Sequence, residues 1–191
     1  MRPEHGRSFT AAHGTLRLIL SKYLRCSPEE IGFGKNDFGK PSLSEKSPIE
    51  FNLSHSGDAA LVAVTSDREI GVDIERYREG LETEKISKRF FSPREVAVLL
   101  ALPESDREEA FYTCWTRKEA YIKARGEGLS IGLSGFEVAF APGAAPALLH
   151  SDKDPKEADR WEFVNIDVQP GYAAACVVEG QVGELRLWDA R

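Results

Sequence analysis

Residues 69–75 read EIGVDIE, and no other stretch restricts the fold so tightly. The alternation is strict. Ile70, Val72 and Ile74 fall on one side, and Glu69, Gly71, Asp73 and Glu75 on the other. A period of two belongs to a strand. Carboxylates two apart on one strand face repel each other, and acidic residues are poor strand formers. A divalent cation would compensate, and oxygen-only ligands suit Mg²⁺. A solvated polar face is the simpler reading, and D-x-E on a strand is a weak signal by itself.

The flanks extend this strand into a sheet. AALVAVT, 59–65, is an apolar run separated from it by the turn SDRE, so the two are expected to pair as an antiparallel hairpin. IEFNLS reads as a further strand, with HSGD as a sharp connection placing Ser54, His55 and Ser56 in a tight bend. LSGFEVAF is another strand, RWEFVNIDV and YAAACVV form a second hairpin across QPG, and ELRLWD adds an edge strand. Helical spacing marks residues 8–25 and 80–90. Ser92-Pro93-Arg94-Glu95 opens another helix with an N-cap, a proline in first place and an acidic first turn. A long helix over 107–125, capped by Asp106, ends near Gly126. The fold class is α+β. Each half pairs helices with a strand hairpin, so pseudo-symmetry is expected.

Composition removes several classes of function. No apolar run approaches the roughly 20 residues that cross a bilayer, and the first residues lack the apolar core of a secretory signal. Cys26, Cys114 and Cys176 are far apart and odd in number, which argues against a disulfide framework, and the apolar surroundings of Cys114 and Cys176 suggest buried thiols and a cytoplasmic setting. The 25 basic and 31 acidic residues give a net charge of −6, against general nucleic-acid binding. A local basic patch remains at Lys85, Lys88, Arg89 and Arg94, beside Phe90 and Phe91. No Walker loop or dinucleotide-binding glycine pattern is present.

In the long helix, Trp115, Glu119 and Lys123 fall at i, i+4 and i+8 and share a face. Alone they describe a surface ion pair contributing a few tenths of a kcal/mol. Alternatively Glu119 supplies a third oxygen ligand to the cation suggested by Asp73 and Glu75, with Lys118 and Lys123 neutralising phosphates. Small hydroxyls and free N–H groups around Ser54 and His55 can bind anions.

FGKPSL, FNLSHSGD, GVDIE, RFFSPRE and WTRKEAYIKARGEGL stand in the order and approximate spacing seen in the 4′-phosphopantetheinyl transferases. The chain resembles the surfactin-synthetase-activator type from Ala11 through GYAAACVV. The resemblance implies an α+β fold of two pseudo-symmetric halves with antiparallel sheets, here residues 1–69 and 70–191, and an active site in the cleft between them. It implies transfer of the 4′-phosphopantetheine arm of coenzyme A to a serine of an apo carrier protein, releasing 3′,5′-ADP. Asp73, Glu75 and Glu119 then correspond to ligands of Mg²⁺, or Mn²⁺ in its place, and Glu119 or a water it holds takes the serine proton. Lys40, His55 and nearby Ser54 correspond to nucleotide-phosphate contacts, and Lys118 and Lys123 to pyrophosphate contacts, with Lys123 catalytic. Carrier proteins of this class are acidic, so the patch of Lys85, Lys88, Arg89, Phe90, Phe91 and Arg94 is the expected docking surface on a monomer. Two departures stand out. Relatives carry several tens of residues ahead of the AAH helix where only a short stretch stands here, so the first half is expected to lack strands of its sheet. Gly14 follows His13 where a basic residue is usual, leaving Arg7 or Arg17 as substitutes. The alternatives are a binding module that holds coenzyme A or a carrier without turnover, and a Mg²⁺-dependent nucleotide pyrophosphatase.

Overall fold

The structure, a computed structural model, describes residues 3–189; side chains before Thr10, Arg7 among them, and that of Leu129 lie outside the described residues. The chain opens with α1 (Pro3–Leu24), which starts earlier than its apolar periodicity indicates. Proline in first place suits that start, because its missing N–H would have no partner there. Leu16 and Leu20, one turn apart, are buried with Ile31 and Phe51. Short strands β1 (Phe33–Lys35) and β2 (Pro41–Leu43) pair antiparallel.

The next two strands, β3 (Ile49–Ser56) and β4 (Ala59–Ser66), form a hairpin in unbroken register from Ile49 opposite Ser66 to Ser56 opposite Ala59. Ser54, His55 and Ser56 therefore lie within a strand and not in a bend. The turn is Gly57-Asp58, with Gly57 at φ 58°, where the absence of a Cβ matters. This corrects the expected pairing of 59–65 with 69–75, since the ladder partner of β4 is β3. Strand β5 (Ile70–Arg76) instead lies antiparallel to the last strand, β9 (Tyr172–Glu179), with Asp73 opposite Ala175 and Glu75 opposite Ala173.

Between those strands come α2 (Thr83–Phe90), α3 (Pro93–Ala101), α4 (Glu104–Arg125), the antiparallel pair β6 (Phe136–Val138) and β7 (Leu148–Ser151), the one-turn α5 (Glu157–Arg160) and β8 (Trp161–Asn165). Strand order in the second main sheet is β5-β9-β8, so the hairpin expected around QPG forms. ELRLWD adds no strand, and Leu185, Leu187 and Trp188 are exposed. Pro103, not Asp106, occupies the N-cap of α4, whose other end closes on Gly126 at φ 66° with its N–H donating to Ile122 O.

Helix α4 buries one face on β5 and β9. Tyr121, Ala120 and Ala124 are fully buried among Phe136, Phe163 and Val177. The approach is set by Gly71, where an added Cβ would lie 2.1 Å from Ala120 O and 2.2 Å from Ala124 N. The glycine of GVDIE thus lets the helix backbone rest on the strand, which carries Asp73 and Glu75 beneath α4.

The outer edge of β5 is closed by side chains. Asn52 Oδ1 accepts from Val72 N–H at 2.9 Å, Ser54 Oγ from Ile74 N–H at 3.3 Å, and Ser56 Oγ from Arg76 N–H at 3.1 Å. Three alternate residues of β3 thus replace a backbone ladder and satisfy donors that would otherwise be buried without partners.

Candidate active site

Asp73, Ser54 and Lys123 meet at one point. Asp73 Oδ1 accepts from Ser54 Oγ at 2.8 Å and from Lys123 Nζ at 2.6 Å, and Lys123 Nζ also donates to Ser54 Oγ at 2.9 Å. Asp73 is 4% exposed, and its Oδ2 is buried with no hydrogen-bond partner. An ionised oxygen in that condition is costly unless a cation reaches it. Glu75 Oε2 accepts from Ser56 Oγ at 2.8 Å and lies 3.8 Å from Arg78 Nη2. Glu119 sits above them on α4. Burial raises its carboxyl pKa above the usual 4.5, the charges of Asp73 and Glu75 push the same way, and Lys123 opposes them. The solvated strand face is thereby excluded, since β5 is buried from Ile70 to Ile74.

Among the described residues no three His, Cys, Asp or Glu side chains are already drawn into a metal-ready cluster. The donors nevertheless suit a hard cation: three carboxylates against Lys123 and the more distant Arg78, with a buried oxygen on Asp73 lacking a partner.

Lys118 corrects its expected role. It is fully buried, paired with Glu95 Oε2 at 2.8 Å, and donates to Leu133 O at 2.7 Å and Phe136 O at 2.6 Å. With its ammonium held by three oxygens in the core, it has no reach toward a phosphate. Glu95 also receives Ser92 N–H at 2.9 Å and Val138 N–H at 2.9 Å. The capping box of SPRE thus ends in a buried ion pair with the lysine of RKEA. Lys40 also has partners, donating to Glu69 Oε2 at 2.6 Å and to Ala124 O at 3.1 Å. Asn36 Nδ2 donates to Gly126 O at 2.7 Å, so this loop caps the end of α4.

Ser54 is committed as well. Its hydroxyl donates to Asp73 and accepts from Lys123 and Ile74 N–H, which uses its hydrogen and both lone pairs. It holds the aspartate and has nothing left for a phosphate. His55, on the opposite face of β3, is turned toward α1. Burial, then the charges of His55 and Arg17, hold the His13 imidazole below its usual 6.5. These three form a separate basic group. Arg17 is partly engaged, donating to Pro28 O at 2.7 Å and Ile31 O at 2.9 Å.

The model of the 4'-phosphopantetheinyl transferase superfamily matches residues 69–177, the span that holds Asp73, Glu75, Glu119 and Lys123. The 4'-phosphopantetheinyl transferase HetI of Nostoc sp. is 39% identical over 189 residues, covering 97% of this chain and 76% of that protein. The chain belongs to the 4′-phosphopantetheinyl transferase superfamily. The 4'-phosphopantetheinyl transferase Sfp of Bacillus subtilis is 34% identical over 176 residues, 86% of this chain and 73% of that one. The holo-[acyl-carrier-protein] synthase (AcpS) of Thermotoga maritima superposes with a TM-score of 0.46 at 22% identity over 60% of this chain and 64% of that chain, a likeness too partial to argue from.

This transferase also has an apolar cavity beside the acids, about 240 Å³ in volume, lined by Leu81, Ile86, Phe111, Tyr112 and Trp115 with Glu75 and Arg78. Sequence reasoning singled out Trp115 by its helical register with Glu119. It missed Tyr112 and Arg78, which Tyr112 Oη joins by accepting from Arg78 N–H at 2.8 Å. In the basic patch, Lys85 pairs with Glu82 at 3.2 Å, Lys88 with Glu84 at 2.5 Å and Arg94 with Glu137 at 3.7 Å, while Arg89 lies 5.0 Å over the Phe90 ring. Phe91 is buried against Phe111 and cannot serve as a docking residue. Cys114 and Cys176 are buried, as expected. Among the described residues, no helix is long and apolar enough to cross a membrane.

Proposed function

We propose that the cleft bounded by β3, β5 and α4 moves the 4′-phosphopantetheine arm of coenzyme A onto a serine of an apo carrier protein. The observation that carries this reading is the unpartnered, buried Oδ2 of Asp73 beside Glu75, Glu119 and Lys123. Asp73, Glu75 and Glu119 would hold Mg²⁺, or Mn²⁺ in its place. When bound, that ion supplies charge neutralisation to a pyrophosphate.

The chain's own groups divide the remaining work. Lys123 binds the pyrophosphate, its ammonium already lying at the acid cluster. Glu119 takes the serine proton, directly or through a water. The serine oxygen forms the new bond to phosphorus, and 3′,5′-ADP leaves with the electrons of the broken bond. Little else is required, because phosphoryl transfer depends on positioning and charge. His55, with His13 and Arg17, receives a nucleotide phosphate. Lys40 supports this site by fixing the end of α4. Residues 1–69 and 70–191 form the two halves of a cytoplasmic monomer, and Lys85, Lys88 and Arg89 meet the acidic carrier near Phe90.

The test is intact-mass analysis of an apo carrier protein incubated with the enzyme, coenzyme A and Mg²⁺. Gain of one phosphopantetheine arm supports the proposal. Coenzyme A binding without modification would make the chain a binding module. Loss of coenzyme A with an unmodified carrier would make it a pyrophosphatase.

A further inference from the structure

Ser56 has no part in the reaction as described so far, yet its hydroxyl is placed like that of Ser54. It lies on the same face of β3, two residues on, and is 8% exposed. Its Oγ accepts from Arg76 N–H at 3.1 Å and donates to Glu75 Oε2 at 2.8 Å. Ser54 repeats this pattern one step back, accepting from Ile74 N–H and donating to Asp73 Oδ1. Each serine thus takes the N–H of the residue following an acid and gives its own hydrogen to that acid. A hydroxyl whose lone pair is fixed by a backbone donor has little freedom in where it points its hydrogen. The carboxylate that receives it inherits that direction.

We propose that Ser56 is a positioning residue for the metal-ligating carboxylate of Glu75. It rests on the reading of Asp73, Glu75 and Glu119 as the cation's ligands. Both contacts described at Glu75, with Ser56 and Arg78, fall on Oε2, which leaves Oε1 to face the cation. Ser54 does the same for Asp73 by occupying Oδ1, so that Oδ2 is the oxygen presented. In the run NLSHS, Asn52 serves the backbone only, whereas the two serines serve the backbone and the acids. Partners that orient metal ligands in this way are each associated with roughly tenfold or more in metal affinity.

The experiment is calorimetric titration of Mn²⁺ into the full chain without coenzyme A, for wild type, Ser56→Ala, Ser56→Thr, Glu75→Gln and the Ser56→Ala/Glu75→Gln pair. Thermal unfolding in chelator is followed in parallel. Ser56→Ala is expected to weaken Mn²⁺ binding about tenfold, and Ser56→Thr, which keeps the hydroxyl, to restore it to within about twofold. The double variant should bind no more weakly than Glu75→Gln alone, because Ser56 acts through that carboxylate. Wild-type affinity in Ser56→Ala overturns the proposal. So does an equal loss in Ser56→Thr, or a further loss in the double variant. If Ser56→Ala does not fold in chelator, Ser56→Thr and its pairing with Glu75→Gln decide the matter by the same comparison. A wild-type chain that binds no Mn²⁺ rejects the metal-site reading itself, a different result from a variant that matches wild type.

Discussion

Asp73 offers one oxygen with two hydrogen bonds and another with none, an asymmetry that composition could not reveal. Nearby, Glu119 pays for its location. Its folded pKa lies above its unfolded one, so between those values the folded state holds more protons and stability falls as pH rises. Glu119→Gln removes the proposed base and metal ligand and is expected to lower turnover by about 100-fold or more. In chelator at pH 7 the same variant should raise Tm by about 2–4 °C, the shift ~1 kcal/mol produces in a chain of this size. An unchanged or lower Tm would contradict the electrostatic reading. Lys118 offers the opposite case. Lys118→Met leaves Glu95 buried without its cation and should cost ~3 kcal/mol in urea unfolding, with the coenzyme A KM of the surviving enzyme unchanged. A raised KM with normal stability would return Lys118 to the phosphates. That its role differs from that of Glu119 was already present in helix geometry, since adjacent residues point about 100° apart. The shared face of Trp115, Glu119 and Lys123 was legible for the same reason. The commitments of Ser54 and Lys40 were not, because a hydroxyl or an ammonium can serve a phosphate or a carboxylate equally well and only tertiary placement decides.

Among the elements, the alternation in GVDIE correctly gave a strand with both acids on one side, but its neighbour in sequence was the wrong ladder partner. Local turn chemistry suggested a hairpin across SDRE, whereas the register of β3 with β4 fills that edge first. What β5 receives from β3 is a row of side-chain acceptors, a pairing with no periodic signature beyond the polar alternation of Asn52, Ser54 and Ser56. The packing of α4 on β5 likewise hangs on a residue that looked incidental. Gly71→Ala would drive a methyl to within 2.2 Å of two backbone atoms of α4, so the helix must shift. The expected result is destabilisation by about 3 kcal/mol, at the upper end for overpacked sites, read as a lower midpoint in urea. Turnover should fall too, because Glu119 and Lys123 move with the helix. Normal activity at normal stability would mean the contact relaxes freely. The second hairpin and the Ser92 cap were readable in advance, since each depends on residues adjacent in sequence.

As a whole, the molecule carries net charge −6 and must still receive an acidic partner if its proposed role holds. The cations of the α2 patch face their own acids at Glu82 and Glu84, which tempers the local field. Reversing charge at Lys88 and Arg89 together is expected to raise the carrier KM severalfold, with a steeper effect at low salt, and leave the coenzyme A KM within twofold. Equal changes in both would place docking elsewhere. Net charge was legible in composition, but the meeting of β3 with β5 depends on contacts across the whole chain. Backbone against backbone at Gly71, strand and helix have no intervening side chain on which to slide. The spacing between the strand acids Asp73 and Glu75 and the helix acid Glu119 is therefore set by that one backbone contact.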